Sequence, residues 1–237
     1  MHRLILSMVA VTAGATLAAG CGGGGNTSDS RAAVHEGAVV YRDALAENTG
    51  RWFENGRFIR FGDGRYQWRD VPVGTNPSSA PDALLSVKLP PGLAVSAAVD
   101  MREGAALRAI SCRELGTSIN ADDWYELGVD GRQALIRRMK AKAPPKVLAR
   151  TAMSIPNGRR VQLTAQCVPD GDGGLVLALR VDGREVVRTT DPDPVPAARG
   201  FHTAGTGLRV YPRPDSPRPA GLDWDHFLVR QATLGGS

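Results

Sequence analysis

The sequence predicts an all-β protein folded as a two-sheet antiparallel sandwich, and three observations support this prediction. Apolar and polar residues alternate along several segments, so each segment places its apolar side chains on one face of a sheet. Asp-Gly and Asn-Gly pairs, the strongest short signals for hairpin turns, recur along the chain. The chain has room for about a dozen short strands with turns at spacings of roughly 8–12 residues, which is typical of a two-sheet sandwich.

The clearest strands lie in the middle of the chain. Every second residue is apolar over residues 93–101, and the same alternation covers residues 161–167. Residues 175–181 also place their apolar side chains on one face, and Asp182-Gly183 then turns the chain into residues 184–188. We therefore expect a tight hairpin between these last two segments.

Residues 131–142 form the one segment that also suits a helix, because several of them have good helical propensity. The strand-like residues 125–129 lead directly into the Asp130-Gly131 turn, however, and this order favours a second strand. We therefore predict a strand here. The sequence contains no internal repeat and no second linker, so residues 36–237 are predicted to form a single domain.

The start of the chain has the layout of an export signal. A short basic start and an apolar stretch over residues 4–17 precede small residues and Cys21. The small residues followed by cysteine resemble the lipobox of bacterial lipoproteins, which implies cleavage after Gly20 and lipidation of Cys21. We predict a signal peptide over residues 1–20 and a lipidated flexible tether over residues 21–35. This anchor would hold the protein at the outer face of the cytoplasmic membrane; the alternative is an ordinary secretory signal with a free cysteine.

The two remaining cysteines form an even pair in an exported protein. With Cys21 lipidated, only Cys112 and Cys167 are left. Such a pair usually forms a disulfide in an exported protein, because the environment outside the cytoplasm is oxidising. We predict a disulfide between them, with two inert buried thiols as the alternative. No histidine lies near either cysteine in the sequence, so a zinc site is not expected.

The positive charge of the chain does not indicate nucleic-acid binding. Lys and Arg total 29 against 24 Asp and Glu, but most of these cations are scattered. One basic run, residues 137–146, could instead lie near anionic lipid. We expect the membrane as a partner, through the lipid anchor, and no nucleic acid.

Several short motifs follow one another along the chain. They are Gly50-Arg51-Trp52, 64–68, Cys112-Arg113, 124–127, Cys167, 179–186, 205–210 and 224–229. By the order and spacing of these motifs, the chain from about residue 39 onward resembles the LamG-like, concanavalin A-type jelly-roll domains of exported bacterial proteins. This resemblance implies an all-β jelly-roll sandwich over nearly all of the mature chain. Such domains include lectins and glucanases, so the resemblance is specific for the fold and not for a function.

The sequence lacks the catalytic pattern of the glucanases that share this fold. Retaining glucanases need two carboxylates about 5 Å apart, placed by a Glu-x-Asp-x-x-Glu strand, and this chain has none. We therefore expect no catalytic residue, no metal and no cofactor. The nearest candidates for such chemistry are Asp122, Asp123, Glu126, Asp223 and Asp225, the histidines His35, His202 and His226, and the acidic turns at 170–174 and 191–193.

Four tryptophans could offer a platform for sugar stacking, although a role in the core explains them more simply. They are Trp52, Trp68, Trp124 and Trp224. The candidate ligand-binding residues are Arg113, Trp124 and Tyr125. We predict a non-catalytic binding module for a cell-wall glycan, another extracellular glycan or an envelope protein. The alternatives are a hydrolase like the LamG-like keto-disaccharide hydrolases and a structural envelope protein.

Overall fold

Two antiparallel β-sheets pack face to face in the computed structural model of the chain, which describes residues 32–113, 123–196 and 205–235. The predicted all-β sandwich is therefore confirmed. The predicted signal peptide and Cys21 lie outside the described residues. Within the described ranges, no helix has the length and hydropathy needed to cross a membrane.

Sheet A contains eight strands, numbered here along the whole chain. They are β1 (Val34–Asp43), β2 (Ile59–Gly62), β3 (Arg65–Val71), β5 (Leu93–Glu103), β10 (Arg160–Pro169), β11 (Leu175–Val181), β12 (Arg184–Asp191) and β14 (Ala220–Leu234). Seven of them follow the order β12-β11-β10-β5-β14-β3-β2. The long strand β14 also pairs with β1, from Val34 opposite Leu234 to Asp43 opposite Phe227.

Sheet B contains six strands. They are β4 (Ser78–Ser79), β6 (Ala106–Cys112), β7 (Asp123–Val129), β8 (Gln133–Lys140), β9 (Lys146–Ala152) and β13 (Thr206–Pro212). Their order is β4-β13-β6-β7-β8-β9, and a short 3-10 helix, Asp82–Ser86, follows β4. The segment that also suited a helix is thus the strand β8. Pairing with β7 and β9 outweighs its helical propensity.

The core lies between the sheets and uses the alternation seen in the sequence. The apolar residues that alternate along β5, β10 and β11 are all buried in one cluster. Trp52, Trp68 and Trp224 belong to the same cluster, and the Trp68 and Trp224 rings lie 6.5 Å apart. These three tryptophans therefore fill the core, whereas Trp124 does not.

The hairpin turns follow the predicted Asp-Gly chemistry. Asp182 and Gly183, between β11 and β12, have φ angles of 50° and 79°. A two-residue turn with positive φ at both positions matches the twist of the strands that it joins, and glycine takes this conformation without steric cost. The predicted hairpin at this turn is therefore confirmed.

The predicted disulfide joins the two sheets. Cys112 ends β6 in sheet B and Cys167 lies in β10 of sheet A, with 6.7 Å between their Cα atoms. Both residues are buried in the core. A buried structural disulfide indicates an extracytoplasmic location, because the cytosol keeps thiols reduced.

Candidate functional site

The outer face of sheet B carries an unusual concentration of long polar and aromatic side chains. This surface, called the sheet B face below, consists of the strand residues that alternate with those of the main core. Leu107, Ala109 and Leu135 on this face form a separate buried cluster, against which Tyr211 packs. The sheet B face comprises Leu107, Ala109, Ser111, Trp124, Glu126, Gly128, Gln133, Leu135, Arg137, Met139, Arg150, Ala152, Gly207, Arg209 and Tyr211.

Small residues line the middle of this face. Ala109 and Ser111 on β6 lie opposite Gly128 and Glu126 on β7. At Gly128, an added Cβ would come within 2.3 Å of the Arg108 carbonyl oxygen, so only glycine fits there. Because these residues are small, long side chains from β7, β8 and β13 have room to lie across the sheet.

Glu126 is the centre on which these side chains converge, and it is fully buried. Trp124 Nε1 donates to its Oε1 at 2.8 Å, and Arg137 Nε donates to its Oε2 at 2.7 Å. The Tyr211 hydroxyl also donates to Oε1, and Arg209 Nε lies 3.6 Å from the same oxygen. We call these five residues the Glu126 cluster.

Two cation–π contacts complete the cluster. The Arg137 guanidinium lies 4.2 Å from the centre of the Tyr211 ring, and that of Arg209 lies 4.6 Å from the Trp124 ring. Burial raises the pKa of Tyr211, and the neighbouring Glu126 carboxylate raises it further. Burial also lowers the pKa of Arg209, because desolvation disfavours its charged form. Tyr211 therefore stays protonated at neutral pH and can keep donating to Glu126.

This arrangement fixes the orientation of each polar group. Both Glu126 oxygens accept hydrogen bonds, so the carboxylate acts as a hub that holds two guanidiniums and two aromatic rings. Glu126 is the only carboxylate among the residues that define the sheet B face. A retaining glycosidase needs a second carboxylate about 5 Å away.

The three predicted ligand residues lie in different surroundings. Trp124 belongs to the Glu126 cluster and is partly exposed. Its neighbour Tyr125 points into the core, where its hydroxyl donates to Asp191 at 2.6 Å and accepts from the Val195 amide at 2.9 Å. Arg113 follows the end of β6, and its Nη1 donates to the Val195 carbonyl at 3.0 Å. The structure therefore brings Tyr125 and Arg113 together at Val195 and separates both from Trp124, so the three do not share one surface.

Sequence reasoning missed three members of the cluster. Arg137, Arg209 and Tyr211 come from β8 and β13, and β13 reaches the cluster only because it pairs with β6. Glu126 was considered solely as a catalytic carboxylate. The alternation of β7 was a usable signal, since Leu127 and Val129 face inward and Trp124, Glu126 and Gly128 must then face outward.

The other acidic candidates take part in ion pairs. Asp223 accepts a hydrogen bond from Arg102 at 2.9 Å, and Asp123 pairs with Arg138 at 3.1 Å. Asp225 accepts a hydrogen bond from Arg160 Nη2 at 2.5 Å, and the same oxygen lies 2.7 Å from His226 Nδ1. Across the described ranges, no group of three or more His, Cys, Asp or Glu residues is arranged to hold a metal ion. Asp122 and His202 lie outside the described residues.

Comparison by sequence yields no relatives: no family model matches the chain, and no curated protein matches it either. Solved structures do share its architecture. The carbohydrate recognition domain of Emp47p superposes with a TM-score of 0.56 and 11% identity, covering 82% of this chain and 96% of that one. The family GH16 endo-β-1,3(4)-glucanase SCLam gives 0.54 and 12% identity, covering 84% and 95%.

A third match covers part of a larger enzyme. The GH43 protein BlXynB from Bacillus licheniformis gives a TM-score of 0.52 and 13% identity, covering 80% of this chain and 39% of that one. At such identities the likeness shows the fold alone. The chain therefore has the concanavalin A-like jelly-roll fold, which carbohydrate-binding modules and glycan-active enzymes share.

Proposed function

We propose that the protein is an exported, lipid-anchored binding module that recognises an extracellular glycan without hydrolysing it. The Glu126 cluster on the sheet B face carries this proposal. In this proposal, Cys21 bears the lipid and the domain stands at the outer face of the cytoplasmic membrane. Labelling of growing cells with palmitate tests the anchor.

The cluster provides what recognition of a sugar requires. The partly exposed Trp124 ring offers an apolar surface, and Arg137 and Tyr211 place polar atoms beside it. Glu126 holds all of these groups in place before any ligand arrives. A site that is ordered in advance loses little conformational entropy on binding, which favours affinity.

The absence of a paired carboxylate favours binding over hydrolysis. Among the described residues of the sheet B face, Glu126 has no acidic neighbour, and its oxygens are occupied by donors from Trp124, Arg137 and Tyr211. A general acid must be free to deliver its proton to the glycosidic oxygen. A protein partner on the same face is the principal alternative to a glycan.

The experiment is a comparison of glycan binding by the wild type and the Trp124→Ala variant. Glycan arrays find the ligand, and calorimetry measures its affinity. We expect the substitution to weaken binding at least roughly tenfold, because tryptophan is a typical hot-spot residue. Phe53→Ala is the control, since Phe53 is an exposed aromatic residue in the β1–β2 connection.

Two results would contradict the proposal. If the wild type binds no glycan at millimolar concentration, or if Trp124→Ala binds as well as Phe53→Ala, the sheet B face is not a glycan site. If incubation with a bound glycan releases new reducing ends, the protein is a hydrolase and the non-catalytic part of the proposal is wrong.

A further inference from the structure

A cavity rich in arginine opens beside the Glu126 cluster. Its volume is about 600 Å³, and residues from three parts of the chain line it. Arg132 comes from the β7–β8 turn, Arg150 from β9, and Arg213 from the segment after β13. The other lining residues are Asp130, Gln133 and Ala152.

The charges in this cavity are not balanced. Arg132 and Arg213 both pair with Asp215, the former at 3.2 Å. Asp130 accepts hydrogen bonds from the Arg132 and Gln133 amides at 2.9 Å, and so stabilises its own turn. Arg150 is exposed, and its guanidinium has no hydrogen bond or ion pair within the part of the chain that the structure describes. Three guanidiniums thus face two carboxylates, and the cation without a counter-charge is Arg150.

The cavity lies on the same face of the sheet as the proposed binding site. Arg150 pairs across the sheet with Leu135, and Ala152 pairs with Gln133, so both belong to the sheet B face. Leu135 lies two residues from Arg137 on the same face of β8, a separation of about 7 Å along a strand. A short oligosaccharide on the Glu126 cluster would therefore extend into the cavity.

We propose that this cavity is a subsite for the carboxylate or sulfate group of an acidic glycan, an inference that rests on the proposed function. A guanidinium is planar and presents its N–H donors as a fork, which matches the two oxygens of such a group. Bound there, the acidic group would supply the counter-charge that Arg150 lacks. A neutral sugar would not supply this counter-charge.

A glycan fits this cavity better than an anionic membrane does. The cavity is open along the sheet B face, which also carries the aromatic rings of the Glu126 cluster, and this position suits a chain molecule lying across the sheet. A membrane surface would instead meet the exposed cations Lys140, Lys142 and Lys146, which lie at the β8–β9 connection.

The test measures how wild type and Arg150→Gln bind two acidic polymers, polygalacturonate for the carboxylate and dextran sulfate for the sulfate. Each has a neutral counterpart, methyl-esterified polygalacturonate and dextran. We expect the wild type to prefer one acidic polymer over its counterpart, and the substitution to weaken that binding roughly tenfold. Arg42→Gln is the control, because Arg42 is an exposed arginine on β1 of the other sheet. Its affinity should be that of the wild type.

The outcomes separate this proposal from the one it rests on. Equal binding of acidic and neutral polymers, or equal loss in Arg150→Gln and Arg42→Gln, overturns the acidic subsite. Loss of neutral-glycan binding in Trp124→Ala would then still support the glycan site. Binding to phosphatidylglycerol vesicles that depends on Arg150, with no binding to either acidic polymer, would identify a membrane contact and also overturn the subsite.

Discussion

At the scale of single residues, Glu126 carries most of the organisation of the sheet B face. Its carboxylate is fully buried and lies between the guanidiniums of Arg137 and Arg209. The half-buried Arg137 and the buried Arg209 share this anion, and a charge removed from water costs much more without a counter-charge than an exposed one does. The residue therefore stabilises the fold as well as the proposed site.

We predict that Glu126→Gln lowers the free energy of unfolding by about 3 kcal/mol. The amide keeps the shape of the side chain but leaves the charges of Arg137 and Arg209 without their shared anion. Chemical denaturation measures the change. Glu47→Gln is the control, because Glu47 is exposed in the β1–β2 connection, and its effect should stay within about 0.5 kcal/mol. Equal stabilities of the two variants would show that Glu126 has no such role.

The residue scale also shows why the predicted ligand residues diverged. Trp124 and Tyr125 are neighbours in the sequence, yet a strand sends adjacent side chains to opposite faces. Tyr125 therefore bonds to Asp191 inside the sandwich, while Trp124 joins the Glu126 cluster. Aromatic character suggested both residues, and only the direction of the strand distinguishes them.

At the scale of elements, the disulfide is the covalent link between the two sheets. It joins the end of β6 to β10 across a sequence separation of 55 residues. Crosslinks over long loops restrict the unfolded chain more than the folded one, which stabilises the fold. Close to it, the hydroxyl of Tyr125, the residue that pairs with Cys112, also joins the sheets through its hydrogen bond to Asp191 on β12.

We predict that replacing both Cys112 and Cys167 by serine lowers the free energy of unfolding by about 4 kcal/mol, the chain-entropy value for a loop of this length. Thermal and urea unfolding of the variant measure the loss. The wild type unfolded under a reducing agent serves as the second arm, and its loss should be similar. A wild type whose stability does not respond to reduction would contradict the prediction.

The strands themselves were largely predictable, whereas their order was not. Alternation located β5, β10 and β11, and Asp182-Gly183 located the turn into β12, because these signals are local. The pairing of β13 with β6 joins segments almost a hundred residues apart and leaves no local trace. The Glu126 cluster and the arginine cavity both depend on that pairing, so the sequence alone did not predict either.

At the scale of the whole molecule, the burial of all four tyrosines makes the folded state less stable in alkaline solution. Burial is the main cause that raises the pKa of Tyr41, Tyr66, Tyr125 and Tyr211. A pKa that is higher in the folded state gives stability that is complete below the unfolded pKa, near 10, and is lost as the pH rises. Burial acts in the opposite direction on three arginines, because it lowers the pKa of Arg108 to about 10 and also lowers the pKa values of Arg113 and Arg209.

We predict that the net stability falls as the pH rises above about 10, since the four tyrosines outnumber the three arginines with lowered pKa values. Urea unfolding at a series of pH values measures this fall. The near-ultraviolet absorbance of phenolate should rise together with the loss of β-structure in circular dichroism. Phenolate absorbance that rises while the β-sheet signal is intact would contradict the prediction, because it would show tyrosines that ionise within the folded protein.

The pairing of β1 with β14 also determines how the folded unit responds to force. Val34 lies opposite Leu234, so the two ends of the described fold emerge side by side. Hydrogen bonds in an antiparallel pair run perpendicular to the strands, and pulling the two ends apart therefore loads them one at a time. Under tension applied at its ends, the β1–β14 hydrogen bonds would therefore break one after another from this corner, instead of bearing the load together as they would in shear.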